Sequence, residues 1–171
     1  GEPMGAGSDL CLILEPHGLV AFDRTHPGEP TLHALDRSEV CQALIRDHAG
    51  KRLFTGLRDH HIVEWRIVER TRLERVQSWF HGARGCCGAP VARGIQALCQ
   101  LADGTTLVSG EVSGSIALWR DATCVGHFVL PARWSPRCLA AHPSEPLLAV
   151  GCKGQSGYDP GSVHIYDLSR F

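Results

Sequence analysis

One fifteen-residue pattern occurs three times in this 171-residue chain without a gap: residues 42–56 (QALIRDHAGKRLFTG), 96–110 (QALCQLADGTTLVSG) and 137–151 (RCLAAHPSEPLLAVG). Leucine holds the third place (Leu44, Leu98, Leu139) and the twelfth (Leu53, Leu107, Leu148), and glycine the last (Gly56, Gly110, Gly151). At the centre of every copy a turn (HAGK, ADGT or PSEP) separates two short apolar runs, the pattern of an antiparallel hairpin. Such a repeat restricts the chain to an array of like units, each burying its apolar surface against its neighbours.

A third apolar run follows each hairpin. Trp65 closes HIVEW nine residues after Gly56, and Trp119 closes SIALW nine after Gly110. Tyr166 closes SVHIY fifteen residues after Gly151, the surplus falling in QSGYDPG. A weaker copy, LCLILEPHGLVAF, ends at Phe22, so the aromatic anchors stand 43, 54 and 47 residues apart. A period near 40 to 45 residues built from short strands is the signature of propeller blades. Ile116 and Leu118, Val163 and Ile165, and Leu19 and Ala21 each share one face of a third strand, with the aromatic on the other. Apolar groups on both faces predict sheets covered on both sides.

Beyond the first three anchors there is room for one more strand each, at 31–35, 73–80 and 124–130. The fold expected is all-β: about four consecutive antiparallel blades over residues 9–37, 38–90, 91–133 and 134–171, after a flexible segment at 1–8. Fourteen strands are predicted, in units of three, four, four and three; the first unit begins at its second strand and the last stops after its third. Propellers close with four to eight blades. The array is therefore expected to be completed by another chain, a symmetry mate or the rest of a longer precursor, and the initial Gly fits a fragment.

The run SGEVSGSIALWR at 109–120, followed by a fourth strand, resembles the WD-repeat β-propeller family, as does TGLRDHHIVEWR at 55–66. The resemblance spans about 9–171 and gives structural roles to Trp65, Trp119, Tyr166, Asp59, Gly56, Gly110 and Gly151. Departures are evident. The family's Trp-Asp pair stands here as Trp65-Arg66 and Trp119-Arg120, Asp59 alone matches its tight-turn Asp, and Gly126-His127 falls inside a predicted outer strand. Most of the family's buried His–Asp network is accordingly expected to be absent.

Charge and composition exclude several functions. With 17 basic against 18 acidic residues the chain offers no broad attraction for nucleic acid or anionic lipid, and no window approaches a membrane span. Its eight cysteines lie scattered in apolar stretches without a C-x-x-C pair, which reads as an intracellular chain, cytoplasmic or nuclear. No nucleotide-binding, zinc-protease or serine-hydrolase motif is present, so no catalytic residue, metal or cofactor is assigned.

The resemblance places partner contacts on the rim formed by the loops entering and crossing each blade, and two long loops fall there: 81–94 and 155–161. They carry Arg84, Arg93, Tyr158 and Asp159, residue types that favour binding hot spots, and they read equally as tolerated surface insertions. The function expected is a non-catalytic scaffold for protein partners; the alternatives are a permanent subunit of a larger complex or a metal or thiol site at His81, Cys86 and Cys87. His60-His61 reads as a turn, and Arg66, Arg70, Arg72 and Arg75 with Glu69 and Glu74 as a solvated, self-paired edge.

Overall fold

The computed structural model describes residues 10–15, 18–23, 31–34, 40–68, 72–81, 94–131, 134–154 and 160–171. Every regular element among them is a strand. The first sheet orders β1 (Leu10–Glu15), β2 (Gly18–Asp23) and β3 (Thr31–Ala34); the second, β4 (Cys41–Arg46), β5 (Arg52–Leu57), β6 (His61–Ile67) and β7 (Leu73–Phe80). The third is built from β8 (Ile95–Gln100), β9 (Leu107–Glu111), β10 (Ser115–Arg120) and β11 (Thr123–Val129), and the fourth from β12 (Trp134–Ala141), β13 (Leu147–Gly154) and β14 (Ser162–Asp167). All neighbours pair antiparallel, so the chain forms the expected three-, four-, four- and three-stranded blades.

Stacking repeats with the sequence. The inner strands β4, β8 and β12 lie against one another in turn. The second strand of each sheet meets the inner strand of the next: β5 against β8, and β9 against β12. β1 meets β4 in the same way, so it occupies the second place of its sheet, although it is the first strand in the chain.

The period of two along each strand divides its side chains between two seams. Leu53, Leu57, Val63 and Trp65 face backwards from the second sheet, whereas Phe54 and Ile62 face forwards onto Ile95, Leu107, Ala117 and Trp119. Val108, Ile116 and Leu118 then face forwards from the third sheet onto Leu148, Val150 and Cys152. Each fully buried aliphatic contributes about 1.5–3 kcal/mol, so the seams hold the array together. The glycine ending each repeat makes a seam possible. A Cβ on Gly56 would stand 2.6 Å from Ile95 Cγ2, and one on Gly110 3.0 Å from Pro136 Cγ, both atoms belonging to the following inner strand.

The hairpin turns are closed by side chains. Asp47 Oδ1 accepts from the backbone N–H of Lys51 (2.7 Å) and Arg52 (3.0 Å), and Asp103 Oδ1 does the same for Thr105 and Thr106. Register shifts in all three inner strands fall at one repeat position, between Cys41 and Ala43, Ile95 and Ala97, and Pro136 and Cys138. The extra residues are Gln42, Gln96 and Arg137, a β-bulge in each strand. Their side chains are linked from sheet to sheet: Arg137 Nη1 donates to Gln96 Oε1 (2.9 Å), and Gln96 Nε2 donates to Gln42 Oε1 (2.8 Å).

The fourth sheet shows the uncovered face expected at the end of an incomplete array. Its backward face is covered, but Val163 and Ile165 on its forward face are 71% and 64% exposed. No sheet follows it among the described residues; cover on both sides is seen for the second and third sheets.

Candidate interaction surface

The loop residues singled out from sequence, Arg84, Arg93, Tyr158 and Asp159, lie outside the described residues, as do Cys86 and Cys87. The frame that carries the longer loop is described. It leaves at His81, whose N–H donates to the His60 carbonyl (2.8 Å), and returns at Gly94, whose carbonyl accepts from Val112 N–H (3.2 Å). Both feet are thereby fixed to tight turns on the same rim, one in the second sheet and one in the third. Gly94 has φ +55° and packs on the backbone of Leu57 and Arg58, a place with no room for a side chain.

Between the feet lies a polar network inside the seam. Trp119 Nε1 donates to Ser109 Oγ (2.7 Å); Ser109 Oγ lies 2.7 Å from His81 Nδ1; His81 Nε2 lies 3.2 Å from Ser115 Oγ; and Ser115 Oγ lies 2.9 Å from His127 Nε2. The indole can only donate. Ser109 Oγ therefore accepts from Trp119, and the sense of the remaining links through His81 and Ser115 to His127 follows the tautomers of the two imidazoles. Burial lowers the His81 pKa to about 4; Glu111 opposes that shift, and His127 and His60 add to it. Burial also lowers the pKa of His127, again against Glu111.

This seam thus holds a histidine network built on hydroxyls, without the His–Asp pairing whose absence was expected. Its central histidine comes from Phe80-His81, 28 residues before Ser109 and across the long loop, while His127 of the Gly126-His127 pair stands at its end. Both His81 ring nitrogens are engaged and the residue is 2% exposed, which commits it to the seam and withdraws it from a metal site. The second sheet has the simpler pair, Trp65 Nε1 donating to Thr55 Oγ1 (3.1 Å).

The adjoining turn is a functional-looking cluster with a structural task. His60 has φ +72°, the position that Gly114 takes at +92° in the next sheet. Asp59 Oδ1 accepts from His61 N–H (3.2 Å) within this turn. The His60 ring crosses the seam to the buried carboxylate of Glu111, which also accepts from Ser113 Oγ (2.7 Å). At the outer edge Arg72 pairs with Glu74 (3.2 Å) in solvent; Glu69 and Arg70 lie outside the described residues. At the opposite end of the inner strands, a concavity of about 450 Å³ is lined by His48, Cys99, Gln100, Ala140 and His142.

The stacked sheets define a propeller-type fold, and solved structures agree. A chain of the crystal structure of the mitotic checkpoint complex superposes with a TM-score of 0.70 at 16% identity, covering 93% of this chain and 43% of that one. Raptor from Chaetomium thermophilum superposes with a TM-score of 0.68 at 17% identity, covering 94% of this chain and 14% of its own. At such identities the likeness concerns fold alone, and this chain spans less than half the length of either neighbour. No protein-family model matches the chain, and no curated protein is significantly similar to it in sequence.

Proposed function

We infer that this chain is part of a WD-repeat-type, non-catalytic scaffold that holds a protein partner against the rim carrying Arg84, Arg93, Tyr158 and Asp159. The observation that carries this reading is the fixing of the long loop at both feet, by His81 and Gly94, over a rim whose turns are locked to one another by His60 and Glu111. A pre-organised rim presents loops at low ordering cost, which favours recognition. One structural neighbour is itself a chain of a multi-protein complex, the mitotic checkpoint complex, which supports a protein partner in general. The place of action proposed is the cytoplasm or nucleus, from cysteine usage.

The test is capture of proteins from a lysate by the wild-type chain, by Arg84→Ala and Tyr158→Ala, and by a variant with both loops shortened. Loss of the same captured protein in all three, with far-ultraviolet circular dichroism unchanged, is expected. Equal capture by the loop-shortened chain refutes the reading.

A second reading, permanent membership of a larger assembly, is favoured by the uncovered forward face of the fourth sheet. It predicts that the chain expressed alone is poorly soluble and is recovered when made with its assembly.

A further inference from the structure

The fifth place of the fifteen-residue repeat decides how each seam closes at the end of the inner strands opposite the rim. Arg46, Gln100 and Ala141 hold that place, each paired across its hairpin with a twelfth-place leucine, Leu53, Leu107 or Leu148. Gln100 is 5% exposed and spans the seam between the second and third sheets. Its Oε1 accepts from His48 N–H (2.7 Å) in the preceding sheet's turn, and its Nε2 donates to the Gly104 carbonyl (2.6 Å) in its own. At the next seam the same place is Ala141, whose side chain has no polar atom. The turn it faces is built like the one before: Gly50 N–H donates to the Asp47 carbonyl (2.9 Å) and Gly104 N–H to the Leu101 carbonyl (3.0 Å), so Ala102 stands where His48 stands. Ala102 N–H has no protein partner among the described residues.

The concavity of about 450 Å³ opens at this place, within the range of about 300–1,000 Å³ usual for small-ligand sites. Side-chain bulk falls away along its lining, where Ile45, Cys99 and Ala140 hold the fourth place of the repeat. No Asp, Glu, Lys or Arg lines it. Burial pushes the Cys99 thiol up to about 12, so this group is uncharged as well. His142 is committed to its own turn, its Nδ1 accepting from Glu145 N–H (3.0 Å). A carboxylate would lose water here without a permanent cation to replace it, whereas a neutral amide needs only hydrogen-bond partners.

We propose that this concavity binds a primary carboxamide on a small apolar body, its oxygen accepting from Ala102 N–H as Gln100 Oε1 accepts from His48 N–H. The internal repeat identifies the chemistry: one seam supplies the amide from its own chain, and the next, with alanine in that place, leaves it to a ligand. A free amide and a glutamine side chain of a peptide share this group. The walls belong to three consecutive described sheets, and the site lies at the end opposite the rim, so it goes beyond the scaffold reading and does not depend on it.

Benzamide titrated into the full chain labelled with nitrogen-15 tests the proposal through the Ala102 amide resonance. A saturating shift with Kd of about 1 mM is expected, an ordinary efficiency for a ligand of about nine non-hydrogen atoms. Benzoate and toluene, which lack the amide, should bind about fivefold more weakly or worse. Ala141→Gln supplies the carboxamide from within, and Ala102→Pro removes the N–H at a place where the next repeat carries Pro143. Each should weaken benzamide about tenfold by saturation transfer to the ligand, with the rest of the protein spectrum in place. A capped glutamine that also shifts Ala102 supports the proposal, and binds more tightly than benzamide if the natural ligand is a peptide side chain, more weakly if it is a free amide. An unmoved Ala102 resonance, or a shift still linear at about 20 mM benzamide, overturns it. So does equal affinity for benzoate, or undiminished benzamide binding in Ala102→Pro. Lysate capture by Arg84→Ala is read separately, so the rim reading and this one fail independently.

Discussion

Gly56 offers a quantitative test of seam packing. The Cβ of Gly56→Ala would fall 2.6 Å from Ile95 Cγ2, 3.0 Å from Ile95 Cβ and 3.3 Å from Ala43 Cβ. Over-packing of this kind costs about 1–3 kcal/mol. Replacing a strand glycine by alanine returns about 0.5–1 kcal/mol through the backbone, leaving a net loss of about 0–2.5 kcal/mol. Ile95 is fully buried, so Ile95→Ala costs about 2–5 kcal/mol as a cavity. In the double variant the new methyl enters the space vacated by Ile95 Cγ2. The cost of the double variant should then fall short of the sum of the two single costs by about 1–3 kcal/mol, a coupling typical of residues in contact. Guanidinium denaturation of the wild type, both single variants and the double closes the cycle, with Tm shifts of about 2–4 °C per kcal/mol at this length. Costs that add to within about 0.5 kcal/mol would show that the following sheet does not seat over Gly56, and the stacking argument built on that contact would fail with it.

Trp65→Phe leaves the buried Thr55 hydroxyl without its donor and should cost about 1–3 kcal/mol beyond the lost packing. Trp79→Phe should cost less by urea denaturation, because Trp79 Nε1 has no hydrogen-bond partner among the described residues; the reverse order refutes both assignments. Folded His81 stays neutral to about pH 4, whereas the unfolded imidazole takes up its proton near 6.5. The unfolded chain therefore binds more protons between these values, and stability is full above about pH 6.5 and falls by roughly 3 kcal/mol as pH drops to 4. In His81→Gln most of that slope should vanish from denaturation midpoints measured at pH 7, 5.5 and 4.5, leaving the smaller part due to His127; an unchanged slope excludes His81 as its source.

Much of the architecture was legible because the residues that define it act locally or at a fixed period. The twelfth-place leucines, Leu53, Leu107 and Leu148, are 0–4% exposed, and Trp65 and Trp119 at most 5%, as their shared phase predicts. His81 was missed as a seam residue. No Gly-His pair marks it, and the loop between it and Ser109 hides the spacing that would have aligned it. The hydroxyls around it carry no motif either, since serines serve turns as readily as networks. The inner-strand bulges were invisible too, because Gln42, Gln96 and Arg137 differ in chemistry and a bulge shows only in pairing. Val163 and Ile165 have the same character as Ile116 and Leu118. Whether such residues are covered depends on the adjoining sheet, which their own strand does not encode.

The bulged residues give the array a shared gauge. Because the surplus residue recurs at one level of β4, β8 and β12 and each side chain grips its neighbour's, the angular step from sheet to sheet is set at the axis and not only by aliphatic bulk further out. Gln96 is the shared member, tied to Gln42 on one side and Arg137 on the other. Disturbing it alone would slacken two joints together, and the spacing of loops far out on the circumference would answer to an amide at the hub.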